Sequence, residues 1–315
     1  MSEPRGFPDW IAEAANKHKT QLDPKSKEFF EKILELFPHF DESFLSIPPT
    51  SDIGVLKSYD PGDVRQHYGF ESPHEFILLN ICEKFNFHAI YQIRELGLSL
   101  LTSLNEGNFY VSAILNRTLF EVVCINYYSF RRIESQLKQC LGYLKTASKT
   151  KSSVERKKIL NKYYQGTYEI FSRALDANNA TSIDWPKYYA ENFDIPIAAG
   201  EEAKKVHVNT AIKDLGEQSG LPLVEAYNVL SEFVHPNAGS KMLVVNTRRS
   251  HDPIMDALTL GDNKNNAEAA LFYIDHISES MFYTWTLALT LSDRGHKLLS
   301  ILDNLVSVGV TKNAR

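Results

Sequence analysis

The chain has 315 residues and a net charge of −5, with 43% hydrophobic and 23% charged residues, an ordinary globular composition that suits one large domain or two small ones. The acidic balance excludes a surface built throughout to hold nucleic acid, while leaving room for local basic patches. With 15 Gly and 13 Pro, the chain has too few turn residues for an all-β protein of this length.

In chain order, residues 1–71 read as an N-terminal helical extension and linker. MSEPRGFPDW lacks the basic-then-apolar pattern of a signal peptide. In DPKSKEFFEKILELFP, Asp23 is placed to cap a helix and Pro24 to occupy its first position. Phe29, Ile33, Leu36 and Phe37 share one side, and Pro38 is predicted to end it. The following FLSIPPTSDIGVLKSYDPGDV, broken by Pro48, Pro49, Pro61 and Gly62, predicts a connection rather than a core element.

Residues 72–315 read as one helical domain. A long helix runs from Ser72-Pro73 to Asn105-Glu106-Gly107, and a second follows at once from Asn108 to about Lys145. So short a junction makes the two antiparallel neighbours. A third helix, roughly 154–178, carries Ile159, Tyr163, Ile170 and Phe171. Then come a short helix stopped near Gly216, and another that starts after Ser219-Gly220 and stops at Pro236. One short strand is expected at Met242–Val245, and a last long helix begins at Asn266. Four long helices with short accessory ones predict an all-α bundle. The most apolar run, MFYTWTLALTL, is far short of the roughly 20 residues needed to span a bilayer. A cytosolic protein without membrane contact is expected. Cys82, Cys124 and Cys140 form no CxxC pair and sit in apolar pattern, as buried inert thiols do.

Three stretches bear on chemistry. On residues 223–235, helical spacing puts Leu223, Ala226, Leu230 and Phe233 on one side, with Tyr227 and Val234 at its border. Asn228, Ser231, Glu232 and His235 line up opposite. They form either a solvated face with a histidine near the negative helix end or a site. On the second long helix Arg117 and Glu121 stand one turn apart in an otherwise apolar and aromatic face. Such charges cost several kcal/mol to bury unless paired, so they are a structural pair or a functional one. In KTASKTKSSVERKKILNKYY, Lys145, Lys149, Lys151, Arg156, Lys157, Lys158 and Lys162 surround the single acid Glu155. This basic segment suits a nucleic-acid backbone, with Tyr163 and Tyr164 expected to stack on bases, or else a plain solvated loop. Arg131-Arg132, and Arg248-Arg249 beside His251 and Asp252, are smaller positive spots.

Glu232-x-x-His235 and Glu71-x-x-His74 have the spacing of carboxylate-bridged di-metal bundles, but Pro73 sets the latter at a helix start, so no metal is expected. The sequence holds no dinucleotide-binding glycine turn, phosphate loop, nucleophile elbow or HExxH helix.

YNVLSEFVHPN (227–237), with NRTLFE (116–121) upstream, resembles the paired boxes of a family of uncharacterised bacterial helical proteins. More distantly it resembles the HEPN superfamily, helical bundles of which many are metal-independent endoribonucleases of toxin–antitoxin and phage-defence systems. The resemblance implies action on RNA or nucleotides, a homodimer, no cofactor, and a partner protein of a defence or toxin–antitoxin system. Its R-x(4–6)-H motif pairs an arginine with a histidine across the dimer. His235 matches that histidine, but Asn228 stands where the arginine would, without the charge to stabilise a scissile phosphate. Two expectations follow. In one, Arg117 supplies the cation, Glu121 orients it, and His235 moves the proton with Asn228, Ser231 and Glu232 flanking it. In the other, the chain is a non-catalytic binding or regulatory module with a degenerate site.

Overall fold

A computed structural model of the protein describes residues 23–48, 73–175, 207–235, 245–248, 257–260 and 267–310. Seven α-helices are found among the described residues: α1 (Pro24–Phe40), α2 (Pro73–Asn105), α3 (Phe109–Lys149), α4 (Ser153–Leu175), α5 (Val208–Ser219), α6 (Leu223–Val234) and α7 (Ala267–Val310). The fold is the expected all-α one, with α2, α3, α4 and α7 as its four long helices. A small antiparallel ribbon is added by β1 (Val245–Arg248) and β2 (Ala257–Leu260), with Val245 opposite Leu260 and Arg248 opposite Ala257. The strand expected at Met242–Val245 therefore begins at Val245, and residues 242–244 lie outside the described residues. Its partner β2 is too short for a period to show in sequence.

Contacts divide the chain into two compact units, and the division falls inside α2, α3, α5 and α7. The first takes residues up to Ile47, Tyr91–Cys124 and Ile212–Leu289; the second takes Pro48–Ile90, Ile125–Ala211 and the residues from Thr290 on.

In the first unit α1 is a packed element. Asp23 caps it as expected, its carboxylate accepting from the amides of Lys25 and Ser26 at 3.0 and 3.3 Å. Pro38 does not end it. The helix carries Pro38 within it to Phe40 and continues as a π-helical turn, Asp41–Leu45. Burial outweighs the one missing amide donor, because Phe40 and Phe44 are wholly enclosed. Phe40 lies flat on Trp285 of α7 at 4.6 Å between centroids, and Phe44 is 5.1 Å from Phe40. The start of FLSIPPT, expected as mere connection, is thus core. Ser26 Oγ donates to the Asp275 carbonyl at 2.9 Å and Lys25 pairs with Glu279 at 2.8 Å, tying the start of α1 to α7.

α5 does not stop at Gly216 either. It runs on to Ser219 and ends where Gly220 turns to φ +70°, its amide donating to the Gly216 carbonyl at 3.0 Å. Only glycine takes that left-handed conformation without cost.

In the second unit α3 and α4 form a helical hairpin joined by Thr150–Ser152. It closes where Cys140 Sγ lies 3.9 Å from the Tyr163 carbonyl, and where Gly166 faces Gln136 and Cys140. A third strut is electrostatic. Glu134 accepts from Lys138 at 2.5 Å and from Arg294 of α7 at 2.9 Å, while Arg294 lies 5.0 Å from the Tyr127 ring centroid. Partial burial pushes the Glu134 carboxyl upward, but these cations outweigh it and hold its pKa below the usual range. All three cysteines are buried, and burial raises each thiol pKa, that of Cys140 to about 12.

Two glycine substitutions test the hairpin packing with opposite signs. A methyl group on Gly166 would stand 2.8 Å from Cys140 Sγ and 2.7 Å from Gln136 Nε2, whereas Gly142 has nothing within 4 Å. In urea unfolding, Gly166→Ala should destabilise by about 1–3 kcal/mol. Gly142→Ala should stabilise by about 0.5–1 kcal/mol, since it only removes chain entropy.

Candidate functional site

The centre of the candidate site is a closed triangle of side chains from α3 and α6. Arg117 Nη2 donates to Tyr227 Oη at 2.9 Å, and the Tyr227 hydroxyl donates to Glu121 Oε1 at 2.7 Å. The third side is an ion pair, with Arg117 Nε 3.1 Å from Glu121 Oε1. That contact is too bent to count as a hydrogen bond from Nε. The guanidinium also lies 5.2 Å from the Tyr227 ring centroid, in cation–π range, and Phe120 stacks on the same ring at 6.2 Å.

The side chains of Arg117 and Glu121 are 20% and 30% exposed, enough burial to require the pairing. Burial lowers the arginine pKa, but the tyrosine and carboxylate more than reverse this, so the guanidinium stays charged. For Tyr227 burial is the largest effect and raises its pKa, so the hydroxyl keeps the proton that it donates to Glu121.

The triangle fixes how α6 rolls against its neighbours. Leu223, Ala226, Leu230 and Phe233 are buried, as the spacing predicts. Ser280 Oγ of α7 donates to the Ala226 carbonyl at 3.1 Å, and Phe233 meets His276 edge to face at 5.9 Å. Asn228 and Glu232 are left exposed, while Ser231 is half-buried with its hydroxyl donated back to the Tyr227 carbonyl at 2.8 Å.

His235 departs from the expected geometry. The last helical residue is Val234, and His235 is the C-cap, extended at φ −76° and ψ 153°. Its amide still donates to the Ser231 carbonyl at 3.1 Å. A residue that precedes proline is pushed out of the helical region, and Pro236 follows. Helical spacing therefore no longer directs this imidazole. His235 is exposed, and among the described residues it makes no hydrogen bond or ion pair with Arg117, Glu121 or any other side chain. It stands eight residues beyond Tyr227, about 12 Å along the helix axis. Arg117 and Glu121 are thus brought together, but with Tyr227 and not with His235.

Two residues of this region escaped the sequence reading. Tyr227 sits at the border of the apolar side, where spacing alone assigns it no role; the polar handle on a half-buried ring was its signal. Asn116, beside Arg117, is fully buried, and neither amide atom has a hydrogen-bond partner among the described residues. Nothing in the structure explains it.

Elsewhere Lys145, Lys149, Lys151, Arg156, Lys157, Lys158 and Lys162 are all exposed. Tyr163 is 1% exposed and packs against Tyr164 at 5.3 Å, so it faces the hairpin core rather than a stacking partner outside. Glu71 and the His74 side chain lie outside the described residues, as do Arg249, His251 and Asp252. Among the described residues no three His, Cys, Asp or Glu side chains gather to hold a metal, and no helix is long and apolar enough to cross a membrane. No family model matches the chain, and no curated protein or solved structure is detectably similar to it.

The triangle predicts a stability signature confined to one hydroxyl. Tyr227→Phe keeps the ring stack but strips one partner each from Arg117 and Glu121, and should cost about 1–3 kcal/mol in denaturant unfolding. Asn228→Ala and His235→Ala, at exposed positions with no side-chain partner among the described residues, should each stay within about 0.5 kcal/mol of the parent.

Proposed function

We propose that this chain is a HEPN-like RNA-binding module that holds RNA without cutting it. One observation carries the reading: Arg117, the cation that would have to stand in for the arginine replaced by Asn228, is committed to Tyr227 and Glu121. Proton transfer by an imidazole leaves the charge of an attacked phosphate unopposed unless a cation lies beside it. Among the described residues none is paired with His235. The module would serve as a binding or regulatory part of a stress-response or defence system, as the resemblance implies.

A second reading rests on His235, which is exposed and has no side-chain partner among the described residues, as suits a site completed by another copy. In a homodimer an endoribonuclease would need its cation from the partner subunit. The two readings part in a single assay. Purified protein incubated with total RNA, without added metal, should retain RNA and leave it intact, and His235→Ala should bind as the parent does. A general acid–base group contributes about 10²–10⁴-fold to rate. Cleavage that falls by such a factor in His235→Ala would establish the second reading and end the first.

A further inference from the structure

Charge along this chain is sharply segregated. Ten of the 34 Lys and Arg, but only two of the 39 Asp and Glu, fall in residues 131–162; that stretch carries +8 and the rest of the chain −13. The structure converts the stretch into the outer half of the α3–α4 hairpin. From the closure at Cys140 and Tyr163, both helices run outward to the Thr150–Ser152 turn, about 15 Å at the rise of a helix. Lys145 and Lys149 lie on the outgoing helix, Lys151 in the turn, and Arg156, Lys157, Lys158 and Lys162 on the returning one.

These seven differ from the cations that are paired elsewhere among the described residues. Ion pairs among the described residues join Lys25 to Glu279, Lys27 to Glu31, Lys32 to Glu28, Lys138 to Glu134 and Lys213 to Glu217. Arg94, Arg117 and Arg294 are paired as well. None of the seven hairpin cations makes an ion pair among the described residues, although Glu155 lies between them in sequence. Crowding like charges at one tip is unfavourable for the free protein, and a polyanion relieves it by releasing counterions.

The surroundings of the tip also say which form of polyanion fits. Single-stranded nucleic acid is held by exposed aromatic rings on which bases stack. Here Tyr163 is 1% exposed and turned inward, and the one large apolar side chain exposed at the tip is Val154, at 67%. A lone valine is neither a stacking platform nor the apolar face that an interfacial membrane helix needs. Tyr143 and Tyr164 are half-buried, the latter against Tyr163 at 5.3 Å, and what stands fully exposed is a two-sided array of cations placed to touch phosphates. Phosphate contacts of this kind fix position on a duplex without reading its sequence.

We infer that the tip of the α3–α4 hairpin, Lys145 to Lys162, is a docking surface for the phosphate backbone of double-stranded nucleic acid. It rests on the RNA-binding reading above, and deepens it by stating where the nucleic acid is held and in which form. Flanking both helices, the cations meet phosphates on either side of a groove.

The test is fluorescence anisotropy on the full chain, using a 20-base-pair RNA duplex, a DNA duplex of equal length, an unstructured single-stranded RNA and phosphatidylserine vesicles. The variant is Lys149→Glu/Lys151→Glu/Arg156→Glu. Its control, Lys27→Glu/Lys32→Glu/Lys213→Glu, makes the same change in net charge on α1 and α5. The three hairpin positions and Lys213 are exposed, Lys27 and Lys32 are half-buried, and an unchanged unfolding midpoint shows that each variant folds. The RNA duplex should bind at least about tenfold more tightly than the single strand. Four phosphate contacts would cost roughly a hundredfold in affinity between 50 and 200 mM salt. The hairpin variant should lose at least about tenfold, and the control far less. The DNA arm shows whether the duplex must be RNA. Single-strand binding equal to the duplex, a hairpin variant that binds as well as the parent, an equal loss in the control, or preferential binding to vesicles would each overturn the inference. Tight single-strand binding that survives the hairpin variant would overturn it alone and leave the RNA-binding reading standing. Binding of no nucleic acid at all would end both.

Discussion

Arg117 stands on a helix whose neighbouring positions Asn116, Leu119 and Phe120 are completely enclosed. A guanidinium there cannot reach water freely and cannot lose its proton, so it must be neutralised where it stands. Glu121, one turn on, gives half the answer, in the less favourable order for a helical pair. The Tyr227 hydroxyl gives the rest, accepting from the arginine and donating to the glutamate while its ring covers the guanidinium. The site follows from this. With Tyr227 pinned, α6 can present only one side to α7, which leaves Asn228 and Glu232 outside.

The helices were readable because apolar spacing and caps act locally. Asp23 and Pro24 open α1, and Gly220 closes α5 four residues past the glycine that looked like its end. Tertiary burial misleads such a reading. Pro38 breaks an isolated helix, but enclosing Phe40 and Phe44 is worth more than one backbone hydrogen bond. Tyr163 could be taken for a stacking ring or a core ring until the α3 contact was seen. His235 was misread for a local reason that sequence does contain: the proline after it removes it from the helix whose spacing seemed to aim it.

Arg117 shows most clearly what sequence leaves open. A charged pair in an apolar face is visible in NRTLFE, and so is the choice between structural and functional roles. The deciding partner lies over a hundred residues away, on a position where tyrosine serves equally well as a border residue. Only the fold brings the two together.

Charge has two duties in this chain. In the first unit Arg117 and Glu121 are paired and partly shielded; at the hairpin tip of the second, cations stand exposed without pairing among the described residues. Paired charges support a fold, whereas clustered unpaired ones raise the potential felt by an approaching polyanion. With −13 on the rest of the chain, positive potential is concentrated in that one stretch.

The central claim is that Arg117 belongs to Tyr227 and not to His235. A pair of double-mutant cycles measures it, combining Arg117→Leu with Tyr227→Phe and, separately, with His235→Ala, read out by denaturant unfolding and RNA affinity. The account predicts a coupling of about 1–3 kcal/mol in stability between positions 117 and 227, and additivity in both readouts between 117 and 235. Additive losses at 117 and 227, with RNA affinity strongly coupled between 117 and 235, would contradict it.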